Sequence, residues 1–435
     1  MPSILPGILA ACVMGLLPVL ASAADKPGKA DAGPYTVIQA GELLAVPGTP
    51  AKRNQTLVIR GGKVVALRDG ILGAEAVENP GDAAVEVIDL RDRFVMPGLM
   101  DAHAHLMWSG GDHPPKKADK MLEADLTLWT LRNARVTLMS GFTTVREQAS
   151  GPHPVFAVRD WINAGKFIGP RILAAGNPIT APGGHGDMTH EDVSPLDINA
   201  SNLCSGVESC RHAVRMQHKM GSNVIKMMAT GGFADNTGID QRFFFDEMQA
   251  IVETAHQLGM IVGTHAYATD AVADAVRAGV DSVEHGFGAD DATLKLMKQK
   301  GIYLVPTLSV AQSGPIREYR EQGRAFERAL KFGTPIAFGT DDGGIPHRYA
   351  AREFGYMVKA GMTPAAALQS ATVNTARLFR IDSEVGTLEA GKLADLIAVK
   401  SSPLDDVAVL EQVDFVMKAG RVAKREGKPL DIVID

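Results

Sequence analysis

The side chains best suited to chemistry begin with a histidine pair, His103 and His105, in the stretch Pro97-Gly98-Leu99-Met100-Asp101-Ala102-His103-Ala104-His105-Leu106. Pro-Gly is a turn signal, the apolar run after it reads as a short buried strand, and side chains two apart on a strand share a face. Two imidazoles side by side are poor core material but good ligands for zinc and its neighbours in the transition series. Three more candidate groups close short apolar runs: His265 ends Met260-Ile261-Val262-Gly263-Thr264-His265, His285 ends Val280-Asp281-Ser282-Val283-Glu284-His285, and Asp341 ends Ala337-Phe338-Gly339-Thr340-Asp341. Lys226 stands inside Asn223-Val224-Ile225-Lys226-Met227-Met228, where an ammonium is costly to bury without a partner. Taken singly, these residues are accounted for as polar strand caps and a salt-bridged lysine. Taken together, they suit a metal centre.

Such a set meets only if several strands end at one rim. From Leu99 to about Arg380, short apolar runs alternate with helix-length stretches, the pattern of β/α units around a parallel sheet. The candidate strands are Leu99–His103, Thr143–Arg146, Arg171–Ala175, Val224–Met228, Ile261–His265, Ser282–His285, Tyr303–Thr307 and Ile336–Thr340. Between them lie candidate helices such as Asp119–Ser140, Val207–Met220, Asp246–Leu258, Asp270–Ala278 and Asp290–Lys300. This order fits an α/β fold of the (β/α)8 TIM-barrel type, whose active sites lie at the carboxyl ends of the strands. A doubly wound open sheet is the alternative, but no Gly-x-Gly-x-x-Gly turn follows the first strand. The flanking segments, 35–95 and 384–435, alternate β-type runs with turns. They are expected to pair as a small β-sandwich lobe beside a barrel spanning 96–383.

With 435 residues, 46% of them hydrophobic and 22% charged, the chain can bury a large core. A formal net charge of −6 with no Lys/Arg cluster disfavours nucleic acid and acidic membranes as partners. Small substrates remain open. Residues 1–24 carry an uncharged run ending in Ala21-Ser22-Ala23, which reads as a signal peptide before a flexible leader at 25–34. The expected location is therefore periplasmic or secreted, with no membrane span. The run lacks a Lys or Arg ahead of it, and Leu9-Ala10-Ala11-Cys12 is also similar to a lipoprotein attachment box. In an oxidising compartment Cys204 and Cys210 can close a small disulfide loop, or stand unlinked.

The set His103-x-His105, Lys226, His265, His285 and Asp341 resembles the ligand set of the binuclear amidohydrolase superfamily, and the resemblance covers nearly the whole chain after the leader. Gly141-Phe142-Thr143-Thr144-Val145-Arg146, Ala181-Pro182-Gly183-Gly184-His185-Gly186, Ile225-Lys226-Met227-Met228-Ala229-Thr230-Gly231-Gly232, Val283-Glu284-His285-Gly286 and Gly339-Thr340-Asp341 are similar to its Xaa-Pro dipeptidase branch. That branch includes carboxypeptidase-like and ochratoxin-degrading enzymes; imidazolonepropionase is a more distant relative. The resemblance implies two metal ions, normally zinc, bridged by Lys226 after its carboxylation by CO2. His103, His105 and Asp341 would hold one ion, and His265 and His285 the other. It further implies a bridging hydroxide as nucleophile, with Asp341 as general base and acid.

Around this centre, His185 is expected to bind or polarise the substrate carbonyl, or to be an ordinary loop histidine. Tyr267 is expected to touch substrate or to pack in the core. Arg146 would meet a substrate carboxylate or form an ion pair, and His347 would line the pocket. The expected function is cleavage of peptide or N-acyl-amino-acid amide bonds, with dipeptides and ochratoxin A as substrates to try. The alternatives are a cyclic-amide hydrolase and a non-catalytic metal-dependent binding protein. Relatives often form homo-oligomers, octamers included, and the resemblance implies the same here.

Overall fold

The structure is a computed structural model and describes residues 33–112, 114, 120–187 and 201–430. The expected signal peptide and most of the leader lie outside the described residues. Strands β1 (Tyr35–Leu43), β2 (Lys52–Arg60), β3 (Lys63–Asp69) and β4 (Val85–Pro97) come first. After them come β5 (Leu99–Ala104), β6 (Phe142–Glu147), β7 (Arg171–Ala174), β8 (Val224–Met228), β9 (Ile261–Ala266), β10 (Ser282–His285) and β11 (Tyr303–Val305). The chain ends with β12 (Leu396–Val399), β13 (Phe415–Lys418), β14 (Arg421–Arg425) and β15 (Lys428–Pro429).

The two terminal groups share one eight-stranded sheet, in which β4 joins them by pairing parallel with β1 and antiparallel with β12. Only Gly98 separates β4 from β5. Its N–H donates to Asp395 O (2.9 Å), and a Cβ there would overlap the Thr143 side chain.

The middle strands are parallel, in a three-stranded set β5-β6-β7 and a four-stranded set β8-β9-β10-β11. Strands β5, β6, β8 and β9 are buried along their whole length, as expected where helices cover a parallel sheet. Among those helices are α1 (Glu123–Met139), α2 (Pro152–Asn163), α3 (Val207–Met220), α4 (Phe245–Gln257), α5 (Thr269–Ala278) and α6 (Asp291–Lys300). Helix α5 shows the logic, burying Ala271, Val272, Ala275 and Val276 on one stripe and ending at left-handed Gly279.

The two parallel sets are joined by a bridge between Ile179 and Met227 and by the Asn223 N–H, which donates to Ala174 O (3.1 Å). Beyond β11, Leu304 bridges to Ile336, the Ala102 N–H reaches Phe338 O (2.8 Å), and the Asp341 N–H reaches His103 O (2.7 Å). Pairing thus leads from β5 to β11 and, through residues 336–342, back to β5. The expected strand Ile336–Thr340 is not a continuous ladder, because the Phe338 N–H turns away to Ser370 O (3.1 Å). Cys204, just ahead of α3, is joined as a disulfide to Cys210 in the first turn of that helix. Among the described residues, no helix is long and apolar enough to cross a membrane.

Candidate metal centre

His103, His105, His265, His285, Lys226 and Asp341 line one cavity of about 1110 Å³ at the carboxyl ends of the parallel strands. The ligand atoms of His103, His105 and Asp341 lie within 4.8 Å of one another, a group able to hold a metal ion. His103 Nε2 stands 3.3 Å from His105 Nε2, and Asp341 Oδ1 stands 3.5 and 3.0 Å from those two nitrogens. The Lys226 ammonium donates to His103 Nε2 (3.1 Å). On the other side, His285 Nε2 faces His265 Nδ1 at 3.0 Å. His285 and Asp341 take left-handed φ values of 65° and 58°, and Thr307, which contacts His285 Nδ1 at 2.7 Å, has φ 45°. Non-glycine residues held this way cost energy and gather at functional sites.

Outer partners decide which ring nitrogens carry hydrogen. The Glu284 carboxylate accepts from His103 Nδ1 (3.0 Å), and Ala149 O accepts from His105 Nδ1 (3.0 Å). Both Nε2 atoms therefore turn lone pairs toward each other and toward the Asp341 carboxylate. The Lys226 ammonium serves His103 Nε2 alone, so the His105 and Asp341 acceptors call for a further cation, whether a proton on the His105–Asp341 edge or a metal ion. Gly231 O likewise accepts from His265 Nε2 (3.0 Å), leaving the His265 Nδ1 lone pair facing His285. The donor set therefore fits divalent cations.

Burial and the Lys226 ammonium push His103 down to about 4, so its ring is neutral at neutral pH. Burial holds His265 and His285 well below the ordinary histidine range. Burial also pushes the Lys226 ammonium down to about 8, which makes its neutral amine accessible. Asp341 is pushed upward by burial, but the imidazoles of His103 and His105 outweigh this and hold it well below the usual carboxylate range.

Two of the expected substrate contacts reach the cavity. His185 packs against His265 with ring centroids 4.5 Å apart and planes tilted by 38°, and Tyr267 packs against His265 and His285 at 4.5 and 5.1 Å. The other two do not. Arg146 is fully buried, donating to Glu284 (2.8 Å), Ser282 (2.9 Å) and Ala102 O (2.7 Å), so its charge is used inside the fold. His347 is also fully buried, bound to Asp342 (2.7 Å) and to Trp108 O (2.7 Å) behind the cavity wall.

Sequence reading missed Glu284, Thr307, Gly231 and Asp235. Glu284 directly precedes His285, but strict alternation along a strand assigns the two to opposite faces, and the left-handed turn at His285 breaks that rule. Asp235 lies in the loop after β8 and contacts His185 Nδ1 at 2.6 Å across fifty residues of chain, a pairing with no local signal.

The fold and the site define a hydrolase class, and residues 94–423 match the amidohydrolase family model: the chain belongs to the amidohydrolase family, whose members are typically metal-dependent. It is similar to ochratoxinase of Aspergillus niger, 31% identical over an alignment that covers 91% of this chain and 88% of the relative. Among solved structures it is similar to a Xaa-Pro dipeptidase with methionine bound in the active site, at 35% identity and TM-score 0.81, covering 90% of this chain and all (100%) of the other. It is also similar to a prolidase complexed with N-methylphosphonate-L-proline, at 28% identity and TM-score 0.79, with coverage of 90% and 100%. Within the family the chain falls in the dipeptidase-like branch, and it is a hydrolase acting on amide bonds.

Proposed function

We propose that the protein is a binuclear metal hydrolase cleaving peptide or N-acyl-amino-acid amide bonds, built on a closed (β/α)8 barrel with a β-sandwich lobe formed by its two ends. The observation that carries this reading is the convergence of two imidazole lone pairs, a carboxylate and a buried lysine on one cavity wall. The hydrogen bonds returning from residues 336–342 to β5 support the barrel. His103, His105 and Asp341 would hold one divalent cation and His265 and His285 the other. Lys226, carboxylated by CO2, would stand between them.

Bound there, such ions, zinc first among them, polarise the scissile carbonyl and lower the pKa of water from about 15.7 to about 7. The chain's own residues do the rest. Asp341 accepts the proton of the attacking water and delivers it to the leaving amine nitrogen. His185 binds the carbonyl oxygen of the substrate, and Tyr267 packs beside it. Trp108, Phe233 and Ile316 give the cavity apolar walls that exclude water around the bond. The same reading includes export of the chain by residues 1–24 and a homo-oligomeric assembly.

The test is metal analysis of the purified protein coupled to a hydrolysis screen across dipeptides, N-acyl amino acids and cyclic amides. Near-stoichiometric zinc, manganese, cobalt or nickel with turnover of the linear amides is the expected result. Turnover of cyclic amides alone would overturn the substrate class, and a metal-replete protein inert to the whole panel would overturn the enzymatic mechanism proposed.

A further inference from the structure

His185 is held by a small network that none of the roles above uses. Asp235 Oδ2 accepts from His185 Nδ1 (2.6 Å) and from the Gly186 N–H (3.0 Å). Asp235 Oδ1 accepts from the Thr237 hydroxyl (2.7 Å) and the Thr237 N–H (3.3 Å), and the same hydroxyl accepts from the Gly232 N–H (2.8 Å). Both carboxylate oxygens therefore face main-chain donors, so the position calls for two acceptors. A Cβ on Gly232 would overlap the His185 ring, standing 2.5 Å from its Cε1. The ring is thus enclosed by the Gly232 backbone and by His265, whose centroid lies 4.5 Å away. Nδ1 is committed to Asp235, and Nε2 has no partner among the described residues, which leaves it to meet a ligand in the cavity.

We infer that Asp235 is the positioning residue for His185: it accepts the Nδ1 hydrogen and fixes the ring orientation, so that Nε2, carrying its own hydrogen, is the donor offered to the substrate carbonyl, with Gly232 leaving the space the ring requires. The inference rests on the role proposed for His185. An orienting partner on a functional histidine is typically worth about 10–100-fold.

The experiment compares Asp235→Ala, Asp235→Asn, His185→Ala and the double variant His185→Ala/Asp235→Ala in the full chain, following kcat, KM, bound metal and Tm. Asp235→Ala is expected to lower kcat about 10-fold or more with metal content retained. Asp235→Asn should recover only part of that loss: its carbonyl can stand where Oδ2 stands, but its amide then meets the Thr237 N–H, a donor facing a donor. In the His185→Ala background, removing Asp235 should cost nothing further, the signature of two residues acting as one.

Additive losses, or a loss that tracks metal content or Tm, would overturn the inference. So would a fully active His185→Ala variant, which removes His185 from the proposed function but leaves the metal hydrolase reading standing. A second readout is independent of turnover: in ¹⁵N-histidine-labelled protein, the His185 Nδ1–H should show a hydrogen bond to a carboxylate that is lost in Asp235→Ala. An unchanged His185 signal would also overturn the assignment. An enzyme inert to every amide would defeat the proposed function while leaving this spectroscopic result readable.

Discussion

At the scale of single residues, Lys226 is the most exacting test. An ammonium buried beside imidazoles is a liability, whereas a carbamate there would be an anionic ligand between two cations. Lys226→Ala should therefore lose metal and activity together, from about two ions per chain toward one or none, as read by elemental analysis beside turnover. A fully metallated, active variant would remove the lysine from the centre. Asp341→Asn should lower kcat by about 10²–10⁴-fold, the usual worth of a general acid–base, with KM moving far less in steady-state kinetics. Glu284→Gln tests the support behind His103: a carboxamide holds the ring more weakly, so metal affinity should fall about 10–100-fold in competition with a chelator. The side chains that would touch metal were legible in the sequence because each one ends or interrupts an apolar run, where a polar group is conspicuous. Those that orient them were not, since Glu284 reaches His103 across 181 residues and the carbonyls of Ala149 and Gly231 have no side-chain signature at all.

At the scale of elements, the helices and strands of the β/α units were legible because their periodicities differ and their glycines mark helix ends. What escaped was set by competition for hydrogen bonds. Residues 336–340 have the composition of a strand, yet Ser370 O claims the Phe338 N–H and interrupts the ladder. The loop after β11, which carries Thr307 to His285, is clamped from behind by Glu353. Its two oxygens accept the N–H groups of Leu308 and Ser309 at 2.7 Å each. Burial nevertheless pushes this carboxyl from 4.5 up to about 7, the N–H bonds pulling it only partly back.

A carboxyl whose pKa is raised by folding binds its proton more tightly in the folded than in the unfolded chain. Stability should therefore fall as pH rises above about 4.5, and the full cost, about 3 kcal/mol, should be present above about pH 7. Denaturant titrations at pH 5 and pH 8 should show a shallower fall in Glu353→Gln than in the parent chain, the remainder coming from Glu147, which burial also pushes up to about 7. Equal slopes in the two proteins would refute the assignment.

At the scale of the whole molecule, the terminal sheet depends on both ends of the chain. Leu396, Ile397, Val399, Phe415, Val416 and Met417 are all buried. At about 1.5–3 kcal/mol for each buried side chain, they contribute as much as the roughly 5–15 kcal/mol by which a typical domain is stable. A chain ending at Asp395 should consequently be insoluble or unfolded, and a soluble, metal-binding product of that length would show the C-terminal strands to be dispensable. The sequence also shows similar texture at its two ends, which made their pairing foreseeable. The order of strands within the sheet was not foreseeable, because antiparallel partners far apart in sequence leave no register signal.

The single glycine between β4 and β5 has a practical consequence for anyone wishing to transplant this hydrolytic centre. The strand that stitches the terminal sheet together runs, one residue later, into the strand that presents the paired imidazoles. A chimera cut at that junction would sever the support and the chemistry in one stroke, so the smallest portable module is the parallel strand together with the sheet it grows from.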